Sequence, residues 1–310
     1  MEVQRTSEVL HDFSPRIKVY KNGTVERLHQ DDVVPPSYDP KRRVHSKDVT
    51  TPLGISARIY MPDNVSEMPK LPLLIYIHGG AFCLYSSSSS IYHNYLNSLV
   101  SEGRIIAVSP NYRLAPEFPI PVCYDDSWAV ARWVAAHADG NGPDPWLNQF
   151  VDFNNVYLGG DSAGANIAHE MVVRAGLREG LEPKARVAGL ALVHPFFGED
   201  GANPLWEFLC PTTDVERDVR LDPGLDPGRL RRELQCGRVL VCVGEKDFLK
   251  RKAVRYYELL KEGSDWKGEI TMWETPGRGH VFHLYKPECD EAKELLKCIA
   301  TFIGKPSLQL

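Results

Sequence analysis

The stretch LGGDSAGANIAHE, residues 158–170, decides the fold class of this chain because it joins a strand to a helix through a serine-bearing turn. Ser162 lies between Gly160 and Gly164 in the pattern G-x-S-x-G, which alone is weak because loops concentrate glycine and serine. The context is more specific. NNVYLGG is predicted as a strand, and AGANIAHEMVVRAG as a helix ending near Gly176. Strand, tight turn and helix is the setting that presents a serine as a nucleophile.

The rest of the chain repeats this alternation. LPLLIYIH, RIIAVSPNY, RVAGLALVHP and RVLVCVGEKD are short continuous apolar runs typical of buried strands, and they alternate with helical patterns such as DDSWAVARWVAAHA, residues 125–138. This predicts an α/β fold with a mostly parallel central sheet and helices on both faces. The hairpin-like IKVYKNGTVERL, with Asn22-Gly23 as its turn, and the strand ISARIYMP are expected to extend the sheet in antiparallel fashion at one edge.

Composition and charge narrow the classes of function. A chain of 310 residues, with 43% hydrophobic and 25% charged residues, is typical of a soluble globular protein with a sizeable core. A net charge of −5 disfavours nucleic-acid binding. No apolar run reaches membrane-helix length, the N-terminus lacks a signal-peptide core, and the seven cysteines form no C-x-x-C pair. We therefore predict one cytoplasmic domain over 1–310 without a membrane span; the sequence does not predict its oligomeric state.

A nucleophilic serine needs a histidine base, which a carboxylate orients. In this setting the acid and then the histidine follow the serine along the chain, at the ends of later strands. Glu245 and Asp247 both follow the strand RVLVCVG, and Asp247 is preferred because it lies farther into the loop. His280 follows Gly279 in the loop after EITMWE, and it is preferred over His283, which lies where a helix would begin.

The turn after the first buried strand predicts an oxyanion hole. HGGA, residues 78–81, fits the H-G-G-G-type motif with alanine in the fourth place. Its glycines allow backbone N–H groups to approach a substrate closely, and losing one such donor costs on the order of 100- to 1,000-fold in rate. The predicted donors are the N–H groups of Gly79, Gly80 and Ala163. Candidate substrate-lining residues, each of which could equally be core packing, are Phe82, Tyr85, Phe196, Trp206 and Val281.

With these residues in place, the chain resembles the plant carboxylesterases of the hormone-sensitive-lipase group. The resemblance runs over nearly the whole chain, through HGGAFC, NYRLAPEFPIP, YDDSWAVARWV, GGDSAGANIAH and GHVFHL. It implies an α/β-hydrolase fold with a cap built partly from the N-terminal segment, residues 1–50. The Gly-, Pro-, Asp- and Arg-bearing segment 196–236 is predicted to add to that cap. By position, the resemblance implies Ser162 as nucleophile, Asp247 as acid and His280 as base, with no metal or organic cofactor.

The same group leaves three functions open. The leading hypothesis is hydrolysis of a small-molecule carboxylic ester through an acyl-enzyme on Ser162. The alternative is a dehydratase or lyase of plant specialised metabolism, although the dehydratases of the group commonly carry threonine at the nucleophile position. The third is a non-catalytic hormone receptor, and the gibberellin receptors of the group lack the catalytic histidine. Because serine, aspartate and histidine are all present here, the sequence favours a hydrolase without identifying its ester.

Overall fold

The computed structural model describes residues 8–65, 69–177, 181, 185–199, 202–263 and 265–304. Within them the strands are β1 (Val9–Phe13), β2 (Ile17–Tyr20), β3 (Val25–Arg27), β4 (Tyr38–Asp39), β5 (Val44–Thr50), β6 (Ser56–Pro62), β7 (Leu71–Ile77), β8 (Ile106–Pro110), β9 (Val151–Asp161), β10 (Val187–Val193), β11 (Arg238–Gly244) and β12 (Glu269–Thr275). The helices are α1 (Ser90–Gly103), α2 (Val122–Ala135), α3 (Pro145–Phe150), α4 (Ala163–Gly176), α5 (Pro204–Leu209), α6 (Pro227–Glu233), α7 (Lys250–Glu262), α8 (Phe282–Tyr285) and α9 (Asp290–Gly304).

The central sheet has nine strands in the order β12-β11-β10-β9-β7-β8-β6-β5-β4. Strands β7 to β12 pair in parallel, while β6, β5 and β4 extend the sheet in antiparallel fashion. This confirms the predicted mostly parallel sheet and its antiparallel extension by the strand in ISARIYMP, which is β6, although β5 and β4 continue the sheet beyond it. Along a strand, neighbouring side chains point to opposite faces, and Leu73 and Leu74 of β7 accordingly belong to different buried clusters.

Helices cover both faces of the sheet, as predicted. One buried cluster packs α2, α4, α6 and α7 against the sheet, and the other packs α1 and α9 against the opposite face. Burial on both sides explains why β10 and β11 are buried along their whole length and, apart from Arg238, carry no charged residue. The helix predicted over 125–138 spans Val122–Ala135 instead, and Asp125 lies in its first turn.

The N-terminal hairpin does not extend the central sheet, so that prediction is wrong. Strands β1, β2 and β3 form a separate three-stranded antiparallel sheet, with Gly23 in the predicted turn at φ +85°. The hairpin makes hydrogen bonds and an ion pair with loops of the main domain. Arg27 donates to the carbonyl of Cys83 and forms a bidentate ion pair with Glu117. Such fixed contacts to loops hold the hairpin beside the carboxyl ends of the parallel strands rather than at the sheet edge.

The described residues between β10 and β11 include two α-helices. The first, α5, lies near the hairpin, because the rings of Phe208 and Phe13 are 5.1 Å apart. The second, α6, packs against α4 and α7 on the face of the sheet. No helix in the described ranges is both long and apolar enough to cross a membrane.

Candidate active site

Ser162 lies in the sharp turn between β9 and α4 with φ 52° and ψ −120°, a backbone conformation that non-glycine residues rarely adopt. The flanking glycines allow this turn to approach the end of β7. A β-carbon on Gly160 would lie 2.4 Å from the carbonyl oxygen of Ile77, and one on Gly164 would lie 2.0 Å from the same oxygen. Glycine is therefore required at both positions by the close packing of the turn on the end of β7.

The structure brings the three predicted catalytic side chains together. His280 Nε2 lies 2.9 Å from Ser162 Oγ, and His280 Nδ1 lies 3.0 and 3.1 Å from the two carboxylate oxygens of Asp247. Asp247 follows β11, and His280 follows β12, so both side chains come from strand ends at one edge of the sheet, as in other open parallel sheets. Distances below 3.2 Å are within the range of hydrogen bonds that can pass a proton.

The alternatives considered from sequence lie elsewhere. Glu245 is exposed and accepts a hydrogen bond from the Gly277 N–H at 2.6 Å, away from the serine. His283 begins helical structure in α8, as expected, but its ring is 2% exposed and packs against Tyr95. Among the described residues, neither ring nitrogen of His283 has a hydrogen-bond partner.

Asp247 also contacts a residue that sequence reasoning missed. His194, directly after β10, places Nδ1 2.6 Å from Asp247 Oδ2, and the N–H of Leu249 donates to Asp247 Oδ1 at 2.9 Å. Burial of this carboxylate opposes ionisation, but the hydrogen bonds from His194 and His280 outweigh it and lower the pKa of Asp247 well below its usual range. The carboxylate is therefore ionised at neutral pH and can stabilise a protonated His280.

The predicted oxyanion donors need one correction. The Gly79 N–H donates to the hydroxyl of Tyr92 at 2.9 Å, and Gly79 is not among the described residues that line the cavity over Ser162, whereas Gly80 and Ala81 are. No described residue accepts a hydrogen bond from the Gly80 or Ala81 N–H. Ala163, as the first residue of α4, has no acceptor within its own helix.

Gly80 and Ala81 therefore border the cavity, whereas the Gly79 N–H is occupied by Tyr92. That the N–H groups of Gly80, Ala81 and Ala163 bind an oxyanion stays a prediction. The cause of the error is the turn after β7. A β-carbon on Gly79 would lie 2.4 Å from a carboxylate oxygen of Asp161, so this glycine is required for packing against the protein interior rather than against a substrate.

Comparison with known proteins identifies the family of the chain. A family model described as "alpha/beta hydrolase fold" matches residues 74–284, about two thirds of the chain. The chain belongs to the α/β-hydrolase family. It is 42% identical to "Probable carboxylesterase 1" and 39% identical to "Probable carboxylesterase 2" of Arabidopsis thaliana, with 96% of this chain and 98% and 97% of those chains covered. It is also 39% identical to a "2-hydroxyisoflavanone dehydratase" of Glycyrrhiza echinata, with 96% and 97% covered.

Solved structures support the fold. An esterase from Pyrobaculum calidifontis matches with a TM-score of 0.66 at 24% identity, covering 84% of each chain. A thermostable esterase from Pseudomonas putida matches with a TM-score of 0.69 at 21% identity, covering 86% of this chain and 84% of that one. At these identities the likeness shows the fold alone, while the closer plant relatives support a hydrolase enzyme.

A second buried carboxylate of this α/β-hydrolase lies beside the serine. Asp161, 1% exposed, accepts hydrogen bonds from the hydroxyls of Tyr76 at 2.9 Å and Tyr92 at 3.0 Å. Burial raises the pKa of Asp161 to about 6, because the two tyrosine hydroxyls only partly replace the lost water. Through Tyr92, this carboxylate is linked to the backbone of Gly79, so it supports the turn that carries the cavity-facing donors.

The cavity over Ser162 has a volume of about 520 Å³. All five predicted lining residues border it, although Phe82 and Trp206 are also 3% and 2% exposed and thus part of the core. Their rings meet edge to face, with centroids 5.5 Å apart, and form an aromatic wall with Phe196. Sequence reasoning missed several further lining residues because they come from the hairpin and from distant loops: Phe13, Arg16, His29, Phe248 and Tyr285.

A metal site was not predicted, and one group of potential ligands occurs in the described ranges. It consists of His194, Asp247 and His280, whose ligand atoms lie within 4.8 Å of one another. Both histidines direct Nδ1 at the carboxylate, at distances of normal hydrogen bonds, so protons suffice to hold the three groups together. The absence of a metal and of an organic cofactor stays a prediction.

Proposed function

We propose that this protein is a serine carboxylesterase that hydrolyses a small-molecule carboxylic ester through an acyl-enzyme on Ser162. The observation that carries the proposal is the continuous hydrogen-bonded line from Ser162 Oγ through the His280 ring to Asp247. The line ends inside a cavity large enough for a small ligand, and relatives at about 40% identity carry the name carboxylesterase.

In the first half of the reaction, His280 Nε2 accepts the Ser162 proton as Oγ attacks the ester carbonyl carbon. Asp247 holds the ring by its Nδ1–H and stabilises the imidazolium that forms. The carbonyl oxygen becomes an oxyanion near the N–H groups of Gly80, Ala81 and Ala163. The tetrahedral intermediate collapses, the bond to the alcohol oxygen breaks, and His280 returns its proton to the leaving alcohol.

In the second half, water replaces the alcohol. His280 accepts one water proton while the oxygen attacks the acyl carbon, and it returns that proton to Ser162 Oγ as the carboxylic acid leaves. No other reactant is needed. The three N–H groups are fixed before the substrate binds, so they stabilise the developing charge without reorganisation.

The residues that line the cavity are the basis for a proposed cap and a proposed substrate contact. Segments 1–50 and 196–236 both contribute lining residues, among them Phe13 and Trp206, and we propose that they form the cap over one hydrolase domain. The aromatic wall of Phe82, Phe196 and Trp206 would receive the apolar part of the ester.

The decisive experiment compares wild type with Ser162→Ala on p-nitrophenyl butyrate. The wild type should hydrolyse the ester, and the variant should lose at least about 1,000-fold in kcat. Labelling with an organophosphate, followed by peptide mapping, should place the phosphonyl group on residue 162. Equal rates for the two proteins, or a label on another residue, would refute the mechanism.

A dehydratase is the second candidate, because a relative at 39% identity is named 2-hydroxyisoflavanone dehydratase. In that reaction His280 would remove a proton and water would leave without an acyl-enzyme. Turnover of a 2-hydroxyisoflavanone that persists in Ser162→Ala, with negligible ester hydrolysis by the wild type, would favour this candidate. A hormone receptor is disfavoured, since the histidine is present and hydrogen-bonded to the serine.

A further inference from the structure

Asp247 holds two histidines rather than one. His280 Nδ1 lies 3.0 Å from Asp247 Oδ2, and His194 Nδ1 lies 2.6 Å from the same oxygen. The two imidazole planes are perpendicular, with ring centroids 5.8 Å apart, so they approach the carboxylate from different directions. Only one of these histidines reaches Ser162.

His194 has no alternative role in the visible contacts. Its side chain is fully buried and makes ring contacts with Phe282 and His283, but it is not among the described residues lining the cavity, and its Nε2 has no hydrogen-bond partner in the described ranges. Its backbone adopts φ 49°, which a residue with a β-carbon adopts at a cost. The His194 side chain can therefore contribute to the site through this hydrogen bond or through the volume of its ring.

The hydrogen bond fixes the protonation of His194. An ionised carboxylate only accepts, so Nδ1 carries the proton and Nε2 is bare. Burial lowers the pKa of His194 more than the contact with Asp247 raises it, so the ring is neutral near pH 7. A neutral N–H donor orients the carboxylate without neutralising its charge, which a cation in the same place would do.

We propose that His194 is a positioning residue for Asp247: together with the Leu249 N–H, its Nδ1–H fixes the plane of the carboxylate so that the remaining lone pairs meet His280. The inference rests on the proposed function, because it assigns Asp247 the role of catalytic acid. The two fixed donors contact different oxygens, Oδ2 for His194 and Oδ1 for Leu249, which leaves the carboxylate no free rotation about its last bond.

The groups that face His194 determine how its loss would affect the pH profile. They are Asp247 from the loop after β11, His280 from the loop after β12, and His283 and Phe282 from α8. Removing the Nδ1–H leaves the Asp247 charge less satisfied, so the carboxylate stabilises the protonated form of His280 more strongly. The acid limb of kcat/KM, which reports the base of the free enzyme, should therefore move to higher pH.

Two variants separate the hydrogen bond from the packing. His194→Phe keeps the ring but removes the donor, and we expect kcat/KM for p-nitrophenyl butyrate to fall about 10- to 100-fold with a shifted acid limb. His194→Asn removes the ring but keeps a donor at the position of Nδ1, and we expect it to stay within about threefold of wild type. Asparagine also tolerates φ near 50°, so melting temperatures are measured for both variants.

His169→Phe is the matched control. His169 is another buried histidine whose Nε2 has no partner in the described part of the chain, but its ring contacts Phe197 and Tyr256 instead of Asp247. Its substitution should leave kcat/KM at neutral and alkaline pH unchanged and should not move the acid limb to higher pH. Ser162→Ala in the same assay separates the two proposals. An inactive Ser162→Ala beside a fully active His194→Phe overturns the role of His194 alone.

Two further results would overturn the inference. The first is the reverse order of the variants, with His194→Phe near wild type and His194→Asn impaired, because that order indicates ring packing. The second comes from nitrogen-15 histidine spectra of the wild type, which need no variant to fold. The inference expects His194 to show a protonated Nδ1 and a bare Nε2 at about pH 7. A proton on Nε2 at that pH contradicts it.

Discussion

Gly164→Ala is the sharpest test of how the fold positions the candidate site. The added β-carbon would lie 2.0 Å from the carbonyl oxygen of Ile77 and 2.5 Å from that of His78, whereas real β-carbons essentially never approach closer than 3.0 Å. The elbow and the end of β7 must therefore move apart by at least 3.0 − 2.0 = 1.0 Å. Because both oxygens belong to the backbone, no side-chain rotation can relieve the contact, and either the elbow or the end of β7 must move.

That movement acts directly on the reaction. The end of β7 leads into Gly80 and Ala81, while Gly164 is two residues from Ser162, so the 1.0 Å shift changes the distance between the nucleophile and two of the three proposed donors. A misplacement of about 1 Å in a catalytic site can cost about 100-fold in rate. We expect kcat for p-nitrophenyl butyrate to fall about 100-fold, and overpacking to reduce stability by about 1–3 kcal/mol.

Gly279→Ala is the control, because it also places a β-carbon beside a triad residue. There the nearest atom to the added carbon is the Lys246 carbonyl oxygen at 3.9 Å, which is ordinary contact distance. We expect activity within about threefold of wild type and an unchanged melting temperature. If Gly164→Ala behaves like Gly279→Ala in kcat and in thermal unfolding, packing of the elbow on β7 does not fix the site and the reasoning fails.

Three further predictions concern Tyr92, His169 and Trp206. Tyr92→Phe leaves the Gly79 N–H and an Asp161 oxygen without their shared partner, so kcat should fall about tenfold with little change in KM, as measured on p-nitrophenyl butyrate. Burial lowers the pKa of His169 from 6.5 to about 3, so the stability of its neutral form is present above pH 6.5 and is lost as pH falls. At pH 4.5 the loss in free energy of unfolding is roughly 3 kcal/mol, and His169→Phe should remove that part of the difference between urea unfolding curves at pH 7 and 4.5. Trp206→Ala removes part of the aromatic wall and should raise the ratio of kcat/KM for p-nitrophenyl hexanoate over acetate about tenfold; an unchanged ratio would show that the acyl chain lies elsewhere.

The placement of the three candidate catalytic residues was predictable because it depends on local order. Ser162, Asp247 and His280 each follow a strand of a parallel sheet, and the carboxyl ends of such strands meet at one edge. Strand type could be inferred from short apolar runs, so the juxtaposition needed no knowledge of packing. The preference for Asp247 over Glu245 followed from loop position alone, and the geometry agrees with it.

Features that depend on contacts between distant segments were not predictable in this way. The hairpin pattern indicated two paired strands, but nothing in it indicated that Arg27 pairs with Glu117 and holds the hairpin away from the central sheet. Gly79 satisfied the same motif as Gly80, and the difference arises from Tyr92, a residue on α1. His194 did carry a signal, since it directly follows a buried strand next to the elbow strand. The same signal occurs at the end of every parallel strand, so it could not single out His194. The predicted acid and base were taken from the ends of β11 and β12, and His194 follows β10.

The two buried carboxylates at this edge of the sheet show why adjacency in sequence does not select the acid. Asp161 is covalently next to Ser162, yet its partners in hydrogen bonding are two neutral tyrosine hydroxyls, and burial raises its pKa to about 6. Asp247 comes 85 residues after Ser162 and is also buried, but two imidazoles hold it, and its pKa is lowered.

A carboxylate that must stabilise a transient imidazolium has to be ionised beforehand and in contact with the ring. Asp161 lies close enough to His280 for their charges to interact, but it makes no hydrogen bond to that ring among the described contacts. Its ionisation near pH 6 would change the charge beside the nucleophile without replacing Asp247. Asp161→Asn should therefore alter the pH dependence of kcat while keeping Ser162 reactive, whereas Asp247→Asn should abolish organophosphate labelling of Ser162 at neutral pH. Equal loss of labelling in the two variants would show that the roles of the carboxylates are not separate.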